Sequence, residues 1–196
     1  MTTTTGTVVE TLTGDYDIDP THSRLGFAAK HAMIATVRGQ FKVYSGQVHL
    51  DEAQPENSHA KIEIDVASVD TGNADRDAHL RTPDFFDIDK HPTITFVSTK
   101  AEQVDDDTYT LTGDLTINDT TRPVTVEFER TGTSNDPWGN FRAGFEGRTT
   151  VNRRDWGLAW NVALDKGGVL VSEKVKLEFD ISAVKRAETT VTTETA

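Results

Sequence analysis

The chain has no cysteine among its 196 residues. That excludes disulfides, thiolate catalysis, zinc ribbons and thiolate-held iron–sulfur clusters, and it fits a reducing compartment. Long apolar runs are missing too. No stretch approaches the roughly 20 apolar residues that cross a bilayer as a helix, so no integral membrane segment is expected. Basic charge is in the minority, with 20 Lys and Arg against 32 Asp and Glu and a net charge of −12. Binding to nucleic acid or through a polybasic membrane anchor needs a cationic footprint that the chain lacks overall. Net charge governs solubility and long-range steering, however, and leaves room for a local basic patch. The first residues, MTTTTGTVVETLTGD, have no basic start, apolar core or small-residue cleavage site, and a soluble, cytoplasmic protein is expected.

Catalytic motifs are equally sparse. Serines are few and none stands in a G-x-S-x-G elbow. No glycine-rich phosphate cradle is present, since Gly167 and Gly168 follow Lys166 in a turn-like stretch. His22, His31, His49, His59, His79 and His91 are scattered, with no pair at zinc-helix or zinc-finger spacing. His49 and His59 flank a polar turn and read as solvated imidazoles. The run Asp105–Asp106–Asp107 falls where a hairpin loop is expected. No catalytic residue, metal site or cofactor is therefore assigned, and the chain does not read as an enzyme.

What is present is alternation. Ile62, Ile64 and Val66 alternate with Lys61, Glu63 and Asp65. The same period recurs through Tyr109–Ile117, Val124–Phe128, Phe141–Phe145 and Val175–Ile181. A period of two marks half-buried antiparallel strands. Runs at 23–31, 39–50 and 93–99 bring the number to about eight. Inward parity changes between Phe41/Val43 and Val48/Leu50, so a bulge is expected at Ser45–Gly46. One helix is read in TGNADRDAHLRTPDFFD, capped by Thr71 or Asn73 and ended or kinked by Pro83. A second short helix is expected over HAMIAT. Residues 1–14 and 186–196 are Thr-rich and read as flexible tails around one domain, 15–185, although TVVETL also suits a strand at a sheet edge. Eight such strands close into a barrel or pack as two sheets, and only the barrel leaves an interior that holds one small ligand.

Cations stand close to aromatic residues. Arg153 and Arg154 sit beside Asp155, Trp156 and Trp160; Arg38 precedes Phe41; Arg24 and Lys30 flank Phe27. Outward salt bridges and ordinary core tryptophans explain each one singly. Together, at one end of an apolar barrel, they suit a ligand with a long tail and a polar or anionic head.

Five collinear stretches carry a resemblance to a known family: YDIDPTHSRLGFAAKHAMIATVRGQF, DVASVDTGNADRDAHLRTPDFFDIDKHPTITFVST, LTGDLTINDTTRPVTVEF, TVNRRDWGL and GGVLVSEKVKLEFDISA. The chain resembles the YceI family of lipid-binding proteins. The resemblance implies an all-β fold, a lipocalin-like elongated eight-stranded antiparallel β-barrel with one or two short helices. It also implies a hydrophobic tunnel for an isoprenoid lipid or other long apolar ligand, a prenyl diphosphate or an isoprenoid quinone. On that reading the tunnel lining is Leu25, Phe27, Phe41, Ile64, Phe96, Leu115, Phe145, Trp156, Trp160, Leu177 and Phe179. His31, Arg38 and Arg153 are the head-group residues, with His31 closing the inner face of the strand that carries Leu25, Phe27 and Ala29. Capping a backbone carbonyl is the alternative role for His31. The helix at 73–82 would act as a lid. A barrel filled by its own phenylalanines, acting as a stress-response or interaction module, is the rival. An enzyme acting on the lipid through Arg153, Asp155 and His31 is another. Oligomeric state is left open, a homodimer included.

Overall fold

Strands of up to 16 residues are long enough to wrap a barrel rather than stack as short sheets. The computed structural model describes residues 11–165 and 167–187. Its strands are β1 (Gly14–Ile18), β2 (Arg24–His31), β3 (Ala35–Phe41), β4 (Tyr44–Leu50), β5 (His59–Asp65), β6 (Val69–Asp70), β7 (Thr93–Gln103), β8 (Thr108–Ile117), β9 (Thr120–Asn135), β10 (Phe141–Asn152) and β11 (Val171–Lys185). One α-helix, α1 (Ala74–Leu80), follows β6. All strand pairs are antiparallel.

The eleven pieces occupy eight positions around a closed ring. β1 and β2 lie end to end against β11, and β4 and β3 lie end to end against them. β5 through β11 complete the circuit, and the β1–β11 pairing, Tyr16 opposite Lys185, closes it. Among the described residues, closure leaves no long unpaired edge. Register shifts at Ser98/Lys100 and Gly144/Phe145 are bulges that bend the strands around the barrel.

Three expectations about local structure change. HAMIAT is no helix: His31 pairs with Ala35, and Ala32 (φ 48°) and Met33 (φ 63°) form a tight turn between β2 and β3. Two successive positive φ values match the twist of a hairpin, and that overrides the helical composition. The parity change falls at Lys42–Val43, not at Ser45–Gly46. There Ser68 Oγ accepts both the Lys42 and Val43 N–H groups, at 3.1 and 3.0 Å, and Val43 is left exposed. The domain also begins earlier than 15. Leu12 is buried against Tyr16, Ala143 and Ala183, and its carbonyl accepts from the Tyr16 hydroxyl at 2.6 Å. At the other end Arg186 N–H donates to Asp15 O at 2.7 Å. Of the expected tails, residues 1–10 and 188–196 lie outside the described residues.

Helix α1 is capped by Asn73, whose side chain accepts from the Arg76 N–H. Asp77 on its buried side accepts from both the N–H and the hydroxyl of Thr71. Arg81 donates to the carbonyls of Ala67 and Val69 at 3.0 and 2.9 Å. These bonds tie the helix to the β5–β6 connection at the end of the barrel where β2 turns into β3.

Candidate functional site: an apolar tunnel with one buried arginine

Inward-facing residues of the ring enclose a cavity of about 290 Å³. Its wall is built mainly from Leu, Ile, Val, Phe and Ala side chains. The lumen stays open although many of those side chains are large. Phe27 pairs with Gly39, and Phe128 pairs with Gly147. A Cβ placed on either glycine would lie 2.4 Å from the partner ring, and one on Gly113 would lie 2.5 Å from the Phe96 ring. Each ring thus lies flat over a glycine along the wall instead of pointing into the lumen. Phe27 and Phe41, at 5.7 Å between ring centres, and Phe128 and Phe179, at 5.9 Å, continue this aromatic lining.

The tunnel has two chemically different ends. At the far one, His49 and His59 are register partners on β4 and β5, with rings stacked at 5.1 Å. His49 Nδ1 is 2.7 Å from Asp15, and Asp51, Glu52 and Tyr109 line the same mouth. At the near one, Leu80, Phe85 and Phe86 come across from α1 and the segment after it. Beside them stands Arg153.

Arg153 is placed by the turn that ends β10. Asn152 caps a single 3₁₀ turn, Arg153–Trp156, by accepting from the Arg154 N–H, and Gly157 ends it at φ 76°. Trp156 anchors this turn in the core, donating its indole N–H to Leu115 O at 2.9 Å. The Arg153 side chain then runs back toward β11. Nε donates to Ser172 O at 3.0 Å, Nη2 to Val171 O at 3.4 Å, and Nη1 to Leu158 O. It is 5% exposed and, among the described residues, forms no ion pair. Burial holds its pKa below the ordinary guanidinium value; Glu173 works against that shift and Arg154 with it. A guanidinium stays charged under such a shift, so a positive charge stands at the near end of a largely apolar tunnel.

Ten of the eleven expected lining residues face this cavity: Leu25, Phe27, Phe41, Ile64, Phe96, Leu115, Phe145, Trp156, Leu177 and Phe179. Trp160 does not. It packs outside the lining against His79 and Phe85, at 4.6 and 5.4 Å between ring centres, because the chain after Gly157 leaves the strand period. Of the three head-group residues only Arg153 lines the tunnel. His31 is exposed, since β2 runs past the barrel wall before it reaches that position. Arg38 alternates with Val37 and Gly39 and stands on the outer wall. The expectation missed Leu80, Phe85 and Phe86, which belong to no alternating run, and the His49–His59 pair. Among the described residues no three His, Asp or Glu side chains are arranged to hold a metal ion.

A closed eight-strand antiparallel barrel around an apolar lumen is the architecture of small barrels that take apolar ligands. Residues 16–183 match the YceI-like domain, and the chain belongs to that family. It is 37% identical to a UPF0312 protein of Ectopseudomonas mendocina over 90% of this chain and 91% of that one. A UPF0312 protein of Azotobacter vinelandii is 38% identical over 76% and 79%. Among solved structures, BcnA of Burkholderia cenocepacia superposes with a TM-score of 0.72 at 27% identity, covering 84% of this chain and 98% of that one. A polyisoprenoid binding domain from Saccharophagus degradans shares the fold, with a TM-score of 0.62 at 16% identity over 87% and 98%.

Proposed function

We propose that the protein binds and carries a long-chain isoprenoid lipid, with the apolar chain in the tunnel and an anionic or carbonyl head at Arg153. The observation that carries this reading is the pairing of a largely apolar lumen with one buried cation on its wall that forms no ion pair among the described residues. Each buried CH₂ contributes about 0.8 kcal/mol before ordering costs, so a few isoprene units supply useful affinity. The guanidinium supplies direction, because an anionic oxygen accepts charge-assisted hydrogen bonds from it that a hydrocarbon cannot. Holding the ligand requires no bond making, and the role is non-enzymatic. The protein of Saccharophagus degradans named for polyisoprenoid binding has the same barrel, which agrees with this use of the fold.

The test is a titration with prenols of increasing chain length, followed by calorimetry. Affinity is expected to rise with each isoprene unit until the tunnel is filled and then level off. Affinity that does not depend on chain length would count against chain burial.

A further inference from the structure

The near end of the barrel carries an exposed apolar tip. The β2–β3 turn leaves Met33 56% and Ile34 85% exposed. Ala32 N–H donates to Leu170 O at 2.7 Å, and Leu170 N–H donates to Val162 O at 2.9 Å. These bonds hold the turn beside the loop bearing Val162, itself 45% exposed. Three large apolar side chains therefore stand in solvent on adjoining segments, next to Val171 and Ala29, which line the tunnel. A cluster of this kind marks an interaction surface.

The outer wall below the tip is cationic. Leu25, Phe27 and Ala29 face the tunnel, so Ala28 and Lys30 face out. Arg38 and Lys176 are the register partners of Ala28 on its two sides, making one outward row. Lys30 and Lys174 lie one pleat nearer the tip on β2 and β11. All four cations are exposed, and none forms an ion pair among the described residues. The neighbouring carboxylates are already engaged: Glu173 by Arg154 at 2.7 Å, and Glu178 by Arg24 at 3.6 Å. Asp155 and Asp165, also exposed, are the carboxylates of the turn and loop at this end that form no ion pair among the described residues.

In a chain of net charge −12, a stripe of free cations leading to an apolar tip is a local reversal. At physiological salt the Debye length is about 8 Å, so a surface touching the tip feels the stripe far more than the acidic remainder. The Arg38–Lys176 row lies three residues from the turn, roughly 10 Å, and long cationic side chains extend toward a headgroup layer.

We propose that this rim docks on an anionic phospholipid bilayer. Met33 and Ile34 enter the headgroup–acyl boundary, and Lys30, Arg38, Lys174 and Lys176 meet lipid phosphates. The tunnel end beside Arg153 is then presented to the membrane. The proposal deepens the lipid-carrying reading by naming the surface from which ligand is collected, and rests on that reading for its purpose only.

The test is co-sedimentation of the full chain with phosphatidylcholine vesicles, with and without about one-third phosphatidylglycerol. Anionic vesicles are expected to bind at least ~10-fold more tightly, at about 5-fold per cation engaged. Met33→Ser/Ile34→Ser and Lys174→Glu/Lys176→Glu are each expected to weaken that binding by ~10-fold or more. No binding to anionic vesicles, equal binding to neutral ones, or wild-type binding by both double variants would overturn the proposal. Farnesol titration of the same variants in solution shows that the barrel is intact. Retained farnesol binding with no vesicle binding overturns docking alone. Vesicle binding without farnesol binding supports docking and defeats the carrier reading instead.

Discussion

Replacing Arg153 with methionine separates the two things that this side chain does. Methionine reproduces the apolar stem as far as the position of Nε, but it carries no donor and no charge. Two of the carbonyls now served by the guanidinium, those of Leu158 and Ser172, lose that donor. Val171 O keeps the Asn161 side-chain amide at 2.7 Å. Two unsatisfied buried acceptors cost about 1–3 kcal/mol each, partly offset by removal of a buried charge, so a net loss of about 2 kcal/mol is expected. The effect on binding depends on the head. A diphosphate loses a charge-assisted contact of about 1.5–3 kcal/mol, a drop of roughly 10- to 150-fold, whereas a neutral alcohol of the same chain changes by less than about 3-fold. Arg153→Lys keeps the charge and recovers part of the diphosphate affinity. Calorimetry with farnesyl diphosphate and farnesol on the three proteins, beside thermal melts, measures both effects. Equal losses for the two ligands would refute the head-group role, and so would no loss for either.

Gly147→Ala places a Cβ 2.4 Å from the Phe128 ring and pushes that ring into the lumen. Stability is expected to fall by about 1–3 kcal/mol in urea melts, and long prenols should lose more affinity than farnesol. Trp156→Phe removes the bond to Leu115 O and should cost about 1–3 kcal/mol, read from the denaturation midpoint at unchanged m. The Arg142 guanidinium bridges Asp19 at 2.7 Å and Asp136 at 3.0 Å, joining the β1–β2 and β9–β10 loops. Asp19 is held well below the ordinary carboxylate range, first by Arg142, and Asp136 is held at about 2, first by Asn140 with Arg142 contributing. Both pKa values are depressed, so the stabilisation is complete above the unfolded value near 4 and fades as pH falls toward 2. Arg142→Met should therefore lower the melting temperature at pH 7, with the gap to wild type closing below pH 3.

Much of the barrel was legible because its signal has a period of two. In β11 each of Val175, Leu177, Phe179 and Ile181 faces the lumen, as alternation requires. The same rule also contained the correction for Arg38. With Phe41 inward, Val37 and Gly39 must be inward and Arg38 outward. Parity could not show that β2 outruns the wall before His31, because strand length beyond a barrel rim is set by tertiary closure. Nor could it place Trp160, Phe85 or Phe86, which lie in irregular segments held by caps and single hydrogen bonds. Of the adjacent Arg153 and Arg154, the first turns in and the second pairs with Glu173. That choice depends on the Asn152 cap and the left-handed Gly157. The glycines facing Phe27, Phe96 and Phe128 were visible as letters, but their role of keeping the lumen open appears only with the cross-strand register.

The central claim is that the tunnel takes a long apolar chain. Mass spectrometry of an organic extract from natively purified protein, beside an unrelated protein from the same cells, tests it most directly. The account predicts an isoprenoid species in near-stoichiometric amount in the first extract and absent from the second. An extract matching the control, from protein that also fails to take up added prenols, would contradict it.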